Sequence, residues 1–266
     1  MSRPIVTLTT DFGTSDYYVG AMKGVILNTC PEAQVVDLCH DVMAYDILDA
    51  AFTIAQSYKY YPLRTIHVVV VDPGVGSQRR PLLVSGDQHY FIAPDNGVLS
   101  LIYPQQEKLS VWHITGDHYF RMPVSATFHA RDVFAAVAGW LAKGTEARQF
   151  GDEIEDYTKL AIPKAQAAGE KSWKGMVLKV DRFGNVITNI AAEDCAALFA
   201  EPTPPFKVTA GGKEITKLVP NYAEGPANEL VALLGSSGYL EIATNRGGAA
   251  RLLGISRGGE VKLELS

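Results

Sequence analysis

The first 160 residues switch between two hydrophobic periods, and this switching restricts the fold more than any other feature. Residues 5–9, 34–38, 65–71 and 109–114 are short runs dominated by Val, Ile, Leu and Thr. Runs that are apolar at consecutive positions predict strands covered on both faces, as in a parallel sheet. Between them Ile47, Ala50, Ala51, Ile54, Ala55 and Tyr58 recur at helical spacing on a single stripe. Phe134, Val137, Ala138 and Leu141 repeat the device, with Gly144 placed to end the helix. Residues 82–85 and 89–92, separated by 86–88, predict a hairpin within this pattern. Strands alternating with helices give an α/β expectation: an N-terminal three-layer α/β/α domain over residues 1–160.

The pattern then changes. Residues 161–173 are small and polar, contain Pro and Gly, and read as a linker. Residues 174–266 hold short strand-like runs at 175–180, 186–188, 206–209, 229–234, 239–242 and 261–265. Gly-rich turns punctuate them, so this part is expected to form a small C-terminal β-barrel domain.

Composition narrows the function. Lys and Arg number 24 against 29 Asp and Glu, a net charge of −5, which lacks the positive field of a nucleic-acid binder. Three cysteines, Cys30, Cys39 and Cys195, without CxxC spacing point to reduced thiols in the cytoplasm. No signal peptide is visible, and no apolar run reaches the ~18 residues of a membrane span. Gly74-x-Gly76 lacks a third glycine and follows the wrong strand for a dinucleotide fingerprint. No GxxxxGK[ST] occurs. His113, His118, His129 and Asp117 lack metal-ligand spacing, so no metal is expected. The GxSxG string ending at Gly258 has no His after it and reads as a barrel turn, not a nucleophile elbow.

Polar residues gather where ligands sit in α/β sheets, in loops after strand ends. Four loops qualify: 9–13, 72–80, 94–97 and 127–132. Asp72, Arg79 and His129 there supply an anion, a fixed cation and a titratable base. In the second domain, Phe183 offers a flat face for stacking and Asn185 both a donor and an acceptor. The Ser236-Ser237-Gly238 turn offers backbone N–H groups that suit a carboxylate.

Six motifs run in order along the chain: TTDFG, VVVDPGVGS followed by Arg79 and Arg80, APDNGVLS, TFHARDVFA, DRFGNVITNI and GSSGYLEIA. Together they resemble the S-adenosyl-L-methionine hydroxide adenosyltransferases (the DUF62 family), relatives of the fluorinase and chlorinase. The resemblance implies attack of water or hydroxide on C5′ of S-adenosyl-L-methionine, giving adenosine and L-methionine without a metal or other cofactor. It implies a homotrimer whose sites lie between one subunit's N-terminal domain and a neighbour's C-terminal domain. Carried over by motif, Asp72, Arg79 and His129 activate the water, with either Asp72 or His129 as proton acceptor. Asp11 grips the ribose and Tyr45 packs beside it. Asp181, Phe183 and Asn185 hold the amino-acid part and the adenine, and Ser236 and Glu241 help bind methionine or base. Two alternatives are an adenosyl halogenase, disfavoured by a carboxylate at Asp72 that would repel halide, and a non-catalytic sensor of S-adenosyl-L-methionine.

Overall fold

The computed structural model describes residues 3–266. The chain divides into two compact units between Ile162 and Pro163. In the first, β1 (Ile5–Thr10), β2 (Gln34–Cys39), β3 (Ile66–Val70), β4 (Pro81–Ser85), β5 (Tyr90–Pro94), β6 (Ser110–Ile114) and β7 (Gly151–Glu153) form one sheet. Its order is β2-β1-β3-β5-β4-β6-β7. β1, β2, β3 and β5 are parallel, whereas β4, β6 and β7 run antiparallel to their neighbours.

Helices cover both faces, as the continuous apolar runs require. Val68 and Val70 pack with α1 (Tyr18–Thr29) and the segment leading into α3 (Ala136–Lys143). Val69 and Val71, on the opposite side, pack with α2 (Ile47–Ser57). The Asp46 side chain accepts from the Asp49 N–H at 3.0 Å and caps α2. Gly144, at φ 109°, ends α3 as its position in the sequence predicts. Helix α1 has no counterpart in the sequence reading. Its buried Val19, Met22 and Ile26 share a face, but Gly20 and Gly24 weaken the helical signal between them.

The second unit contains β8 (Gln166–Gly169), β9 (Ser172–Val180), β10 (Val186–Ala191), β11 (Phe206–Ala210), β12 (Lys213–Ile215), β13 (Leu230–Leu234), β14 (Tyr239–Thr244), α4 (Ala249–Leu253) and β15 (Glu260–Leu265). The sheet order is β12-β11-β15-β9-β10-β14-β13. The chain after β12 reaches β13, with Val219 N–H donating to the Ala232 carbonyl at 3.0 Å, so the barrel nearly closes. Period-2 burial in β11 and β15 turns one face into this core. β8 lies inside the stretch read as linker. All four of its residues are exposed, so it buries no apolar face and leaves no alternation to read. Among the described residues no helix is long and apolar enough to cross a membrane.

His67 on β3 is wholly buried. Its Nδ1 lies 2.7 Å from Thr7 Oγ1 and its Nε2 3.3 Å from His89 Nδ1, with Phe91 stacked on the ring. Burial, and then His89, push its pKa down to about 3. The unfolded chain therefore takes up this proton first as pH falls below ~6.5. Stability drains by up to about 1.4 kcal/mol per pH unit from there down to the folded value. His67→Phe is expected to flatten the stability slope between pH 6.5 and 4, read by denaturant titration at several pH values. An unchanged slope would place the acid sensitivity elsewhere.

Candidate active site

Strand β1 has β2 on one side and β3 on the other, so the order in which strands are added reverses between the carboxyl ends of β1 and β3. Ligands favour that crevice in open α/β sheets. The loop after β1 carries Asp11, and the loop after β3 carries Asp72 and Arg79.

Asp72 and Arg79 form a fork-like ion pair. Arg79 Nε donates to Oδ1 at 2.8 Å and Oδ2 at 2.9 Å, and Nη2 also donates to Oδ2. Both side chains are more than nine-tenths buried. The same Nη2 lies 2.9 Å from His129 Nδ1. A guanidinium has no acceptor, so Nδ1 accepts and the proton of neutral His129 sits on Nε2. Burial, then the neighbouring Arg79 charge, hold His129 below its ordinary pKa, partly opposed by Asp72 and Asp132. Arg79 Nη1 is buried with no hydrogen-bond partner among the described residues. The cluster thus keeps one donor in reserve, with the imidazole neutral at pH 7.

Two backbone devices bring the loops together. Gly76, at φ 79°, lies so close to the Ala126 carbonyl that a Cβ would sit 2.3 Å from its oxygen. His129 precedes a π-helical turn, Ala130–Ala135, of the sort often found at functional sites. Within that turn Asp132 is fully buried and accepts from Arg131 Nε and Nη2, both at 2.7 Å, and from the Ser125 N–H at 2.9 Å. Asp132 therefore braces the segment that leads to His129. Its chain position resembles an ordinary first-turn acid, and nothing in the sequence announces this role.

Asp11 and Tyr45 are also brought together. Asp11 Oδ2 accepts from the Tyr45 N–H at 2.8 Å, and Tyr45 adopts φ 65° with its ring exposed. The Asp11 loop approaches the His129 loop through Phe12, whose ring is 6.4 Å from that of Phe128. Phe12, Tyr17, Tyr18, Ser125, Thr127, Phe128 and Arg131 line a cavity of about 280 Å³. The Tyr17-Tyr18 pair is not among the site residues the sequence predicts; two adjacent aromatics at the start of α1 are the available signal. A larger groove of about 600 Å³ between α1, α3 and residues 119–121 shares only Arg131 with this cavity. Neither cavity is lined by Asp72, Arg79 or His129; the smaller one adjoins them through Phe128, next to His129 in the chain.

In the second unit, Asp181 spends its carboxylate on its own turn. Oδ1 accepts from the N–H groups of Phe183 (2.9 Å) and Asn185 (2.8 Å), and Oδ2 from Asn185 Nδ2 (2.9 Å). The turn buries Asn185 and leaves Phe183 79% exposed. Glu241 is buried and accepts from the Tyr222 hydroxyl at 2.8 Å. Burial pushes its carboxyl pKa upward, the Tyr222 bond opposes this, and Asp181 adds to it. Ser236 is exposed, while the Oγ of neighbouring Ser237 is buried without a partner among the described residues. Among these residues no three His, Cys, Asp or Glu side chains converge as a metal-holding group.

A two-sided α/β sheet with a buried ion-paired cluster at its switch point defines a protein that handles a small ligand at the sheet edge. Residues 6–151 match the N-terminal domain of the SAM hydroxide adenosyltransferases, and residues 175–262 match their C-terminal domain. The chain belongs to the SAM hydroxide adenosyltransferase family. An (R)-S-adenosyl-L-methionine hydrolase from Thermus thermophilus is 35% identical, covering 98% of this chain and 99% of the relative. One from Methanocaldococcus jannaschii is 32% identical over 97% and 95%. A fluorinase from Nocardia brasiliensis is more distant, at 25% identity over 99% and 97%. The crystal structure of an uncharacterized conserved protein from Thermotoga maritima has a TM-score of 0.90 at 33% identity, covering 97% of this chain and 99% of that one.

Gly76→Ala places a methyl group against the Ala126 carbonyl in a left-handed conformation. It is expected to cost roughly 1–3 kcal/mol in denaturant titrations. With Arg79 drawn away, the His129 titration, followed by NMR, moves up towards ~6.5. An unaltered His129 titration would show that Gly76 does not hold the two loops together.

Proposed function

We propose that this protein hydrolyses S-adenosyl-L-methionine to adenosine and L-methionine. The family and the hydrolase relatives support the substrate. The observation that carries the chemistry is the Asp72–Arg79–His129 cluster, in which Arg79 Nη1 has no partner among the described residues and His129 bears its proton on Nε2.

The sulfonium already leaves well, departing as a neutral thioether, so no acid is needed on that side. Water is the weak partner, with a pKa of ~15.7. In this reading its oxygen rests against Arg79 Nη1 and the Nε2–H of His129, both donors. Asp72 retains lone-pair capacity beyond its bonds to Arg79 and receives the proton. As the C5′–O bond forms, the C5′–S bond breaks, its electron pair stays on the methionine sulfur, and the water proton passes to Asp72. Neither a metal nor a cofactor is called for. Asp11 holds the ribose hydroxyls beside Tyr45. Asp181, Phe183, Asn185, Ser236 and Glu241 of a neighbouring copy hold the adenine and the amino acid, making the protein a cytoplasmic homotrimer.

In oxygen-18 water, adenosine is expected to carry label at the 5′-oxygen by mass spectrometry. Unlabelled adenosine, 5′-chloroadenosine in chloride buffer, or binding without product would each overturn the hydrolase reading. Asp72→Asn is expected to lower kcat by ~10²–10⁴-fold while substrate still binds. The rate should persist below pH 6.5 and fall as His129 protonates, because the neutral imidazole accepts from Arg79. Asp72→Asn removes a charge that raises the His129 pKa, so this acid limb should move lower still.

A further inference from the structure

The loop carrying Asp72 and Arg79 is held at both ends by a single turn, residues 94–97, that the proposed chemistry leaves unused. At the loop's start, Asn96 Nδ2 donates to the Val71 carbonyl at 2.9 Å, one residue before Asp72. The amide orientation is set by its other end, since Asn96 Oδ1 accepts from the Val98 N–H at 3.1 Å. At the loop's end, the Asp95 N–H donates to the Arg80 carbonyl at 2.8 Å, one residue after Arg79. Arg80 returns the contact, its Nε 2.9 Å and its Nη2 2.7 Å from Asp95 Oδ2. Asp95 Oδ1 accepts from the Thr158 N–H at 2.7 Å, and Arg80 Nη1 donates to Asp156 Oδ1 at 2.8 Å, so a third segment anchors the pair.

We infer that Asn96, Asp95 and Arg80 are positioning residues that clamp the 72–79 loop and set the Asp72–Arg79–His129 geometry. The loop contains Gly74 and Gly76 and would otherwise sample many conformations. Misplacing reacting groups by about 1 Å costs on the order of 10²-fold in rate. None of the three touches the reacting atoms; they act through Asp72 and Arg79. The kinetic part of the inference rests on the hydrolase reading.

Asn96→Asp is the sharpest variant. It keeps the acceptor for Val98 but sets an oxygen where Nδ2 faced the Val71 carbonyl. The expected result is a kcat lower by roughly 10–100-fold with KM within about twofold. The His129 NMR titration should also rise, because Arg79 is no longer held against Nδ1. Arg80→Ala should behave alike at the other end, and Arg80→Lys, which keeps the charge, should restore part of kcat. Wild-type kcat and an unmoved His129 titration in folded Asn96→Asp and Arg80→Ala would overturn the inference. Equal loss in kcat and in folded fraction, with His129 unmoved, would do the same by making the turn merely structural. If Asn96→Asp does not fold, the Arg80 pair decides. If wild-type protein does not hydrolyse S-adenosyl-L-methionine, the function reading fails separately, and the His129 titrations alone decide the positioning role.

Discussion

The buried ion pair between Asp72 and Arg79 is the contact on which the site depends. Taking a carboxylate and a guanidinium out of water costs several kcal/mol per ion, recovered only with close geometry and further hydrogen bonds. Arg79 meets both conditions: it forks onto Asp72, donates to His129, and lies 5.4 Å from the buried ring of Phe134. Its remaining nitrogen has no hydrogen-bond partner among the described residues. A buried donor without a partner costs about 1–3 kcal/mol. The charge of Arg79 also sets the tautomer of His129 and lowers its basicity.

The two units use their carboxylates differently. In the first, Asp72 and Asp132 are buried against arginines, which pins chain segments in place. In the second, Asp181 is consumed by backbone N–H groups and Glu241 meets only a phenol. A carboxylate buried without a cation is disfavoured as a charge, which agrees with the upward shift at Glu241.

Much of this was legible in the sequence because burial and period leave marks. The run at 65–71 announces a strand covered on both sides, and β3 is buried throughout. The closely spaced short runs after residue 174, broken by Gly-rich turns, announce a strand-built domain, and β11 and β15 bury alternate residues in its core. The polar loops at 9–13, 72–80 and 127–132 lead to Asp11, Asp72, Arg79 and His129, and the structure joins the last three by direct hydrogen bonds. What stayed hidden depends on contacts distant in the chain. α1 hides because its glycines dilute the helical stripe, β8 because small exposed residues carry no period. Asp132 hides because its partners include Ser125 of a preceding loop, and Asn96 because Val71 lies 25 residues away.

Sheet topology explains why one turn reaches both ends of the reactive loop. β5 lies between β3 and β4, yet the chain passes from β3 directly to β4 and only then returns along β5. The loop joining β3 to β4 must cross over the carboxyl end of β5. Pro81 pairs with Pro94 in register, so the residues just before β4 and just after β5 are neighbours. Asp95 therefore meets Arg80, and Asn96 meets Val71 at the end of β3. A hairpin with β4 next to β3 would put no third strand beneath the loop and leave its glycines free to move. Inserting a parallel strand between two consecutive ones costs loop-closure entropy, about 0.6 kcal/mol per doubling of loop length. In return the Asp72–Arg79 loop rests on a rigid strand end instead of on solvent, which keeps the ion pair in one place.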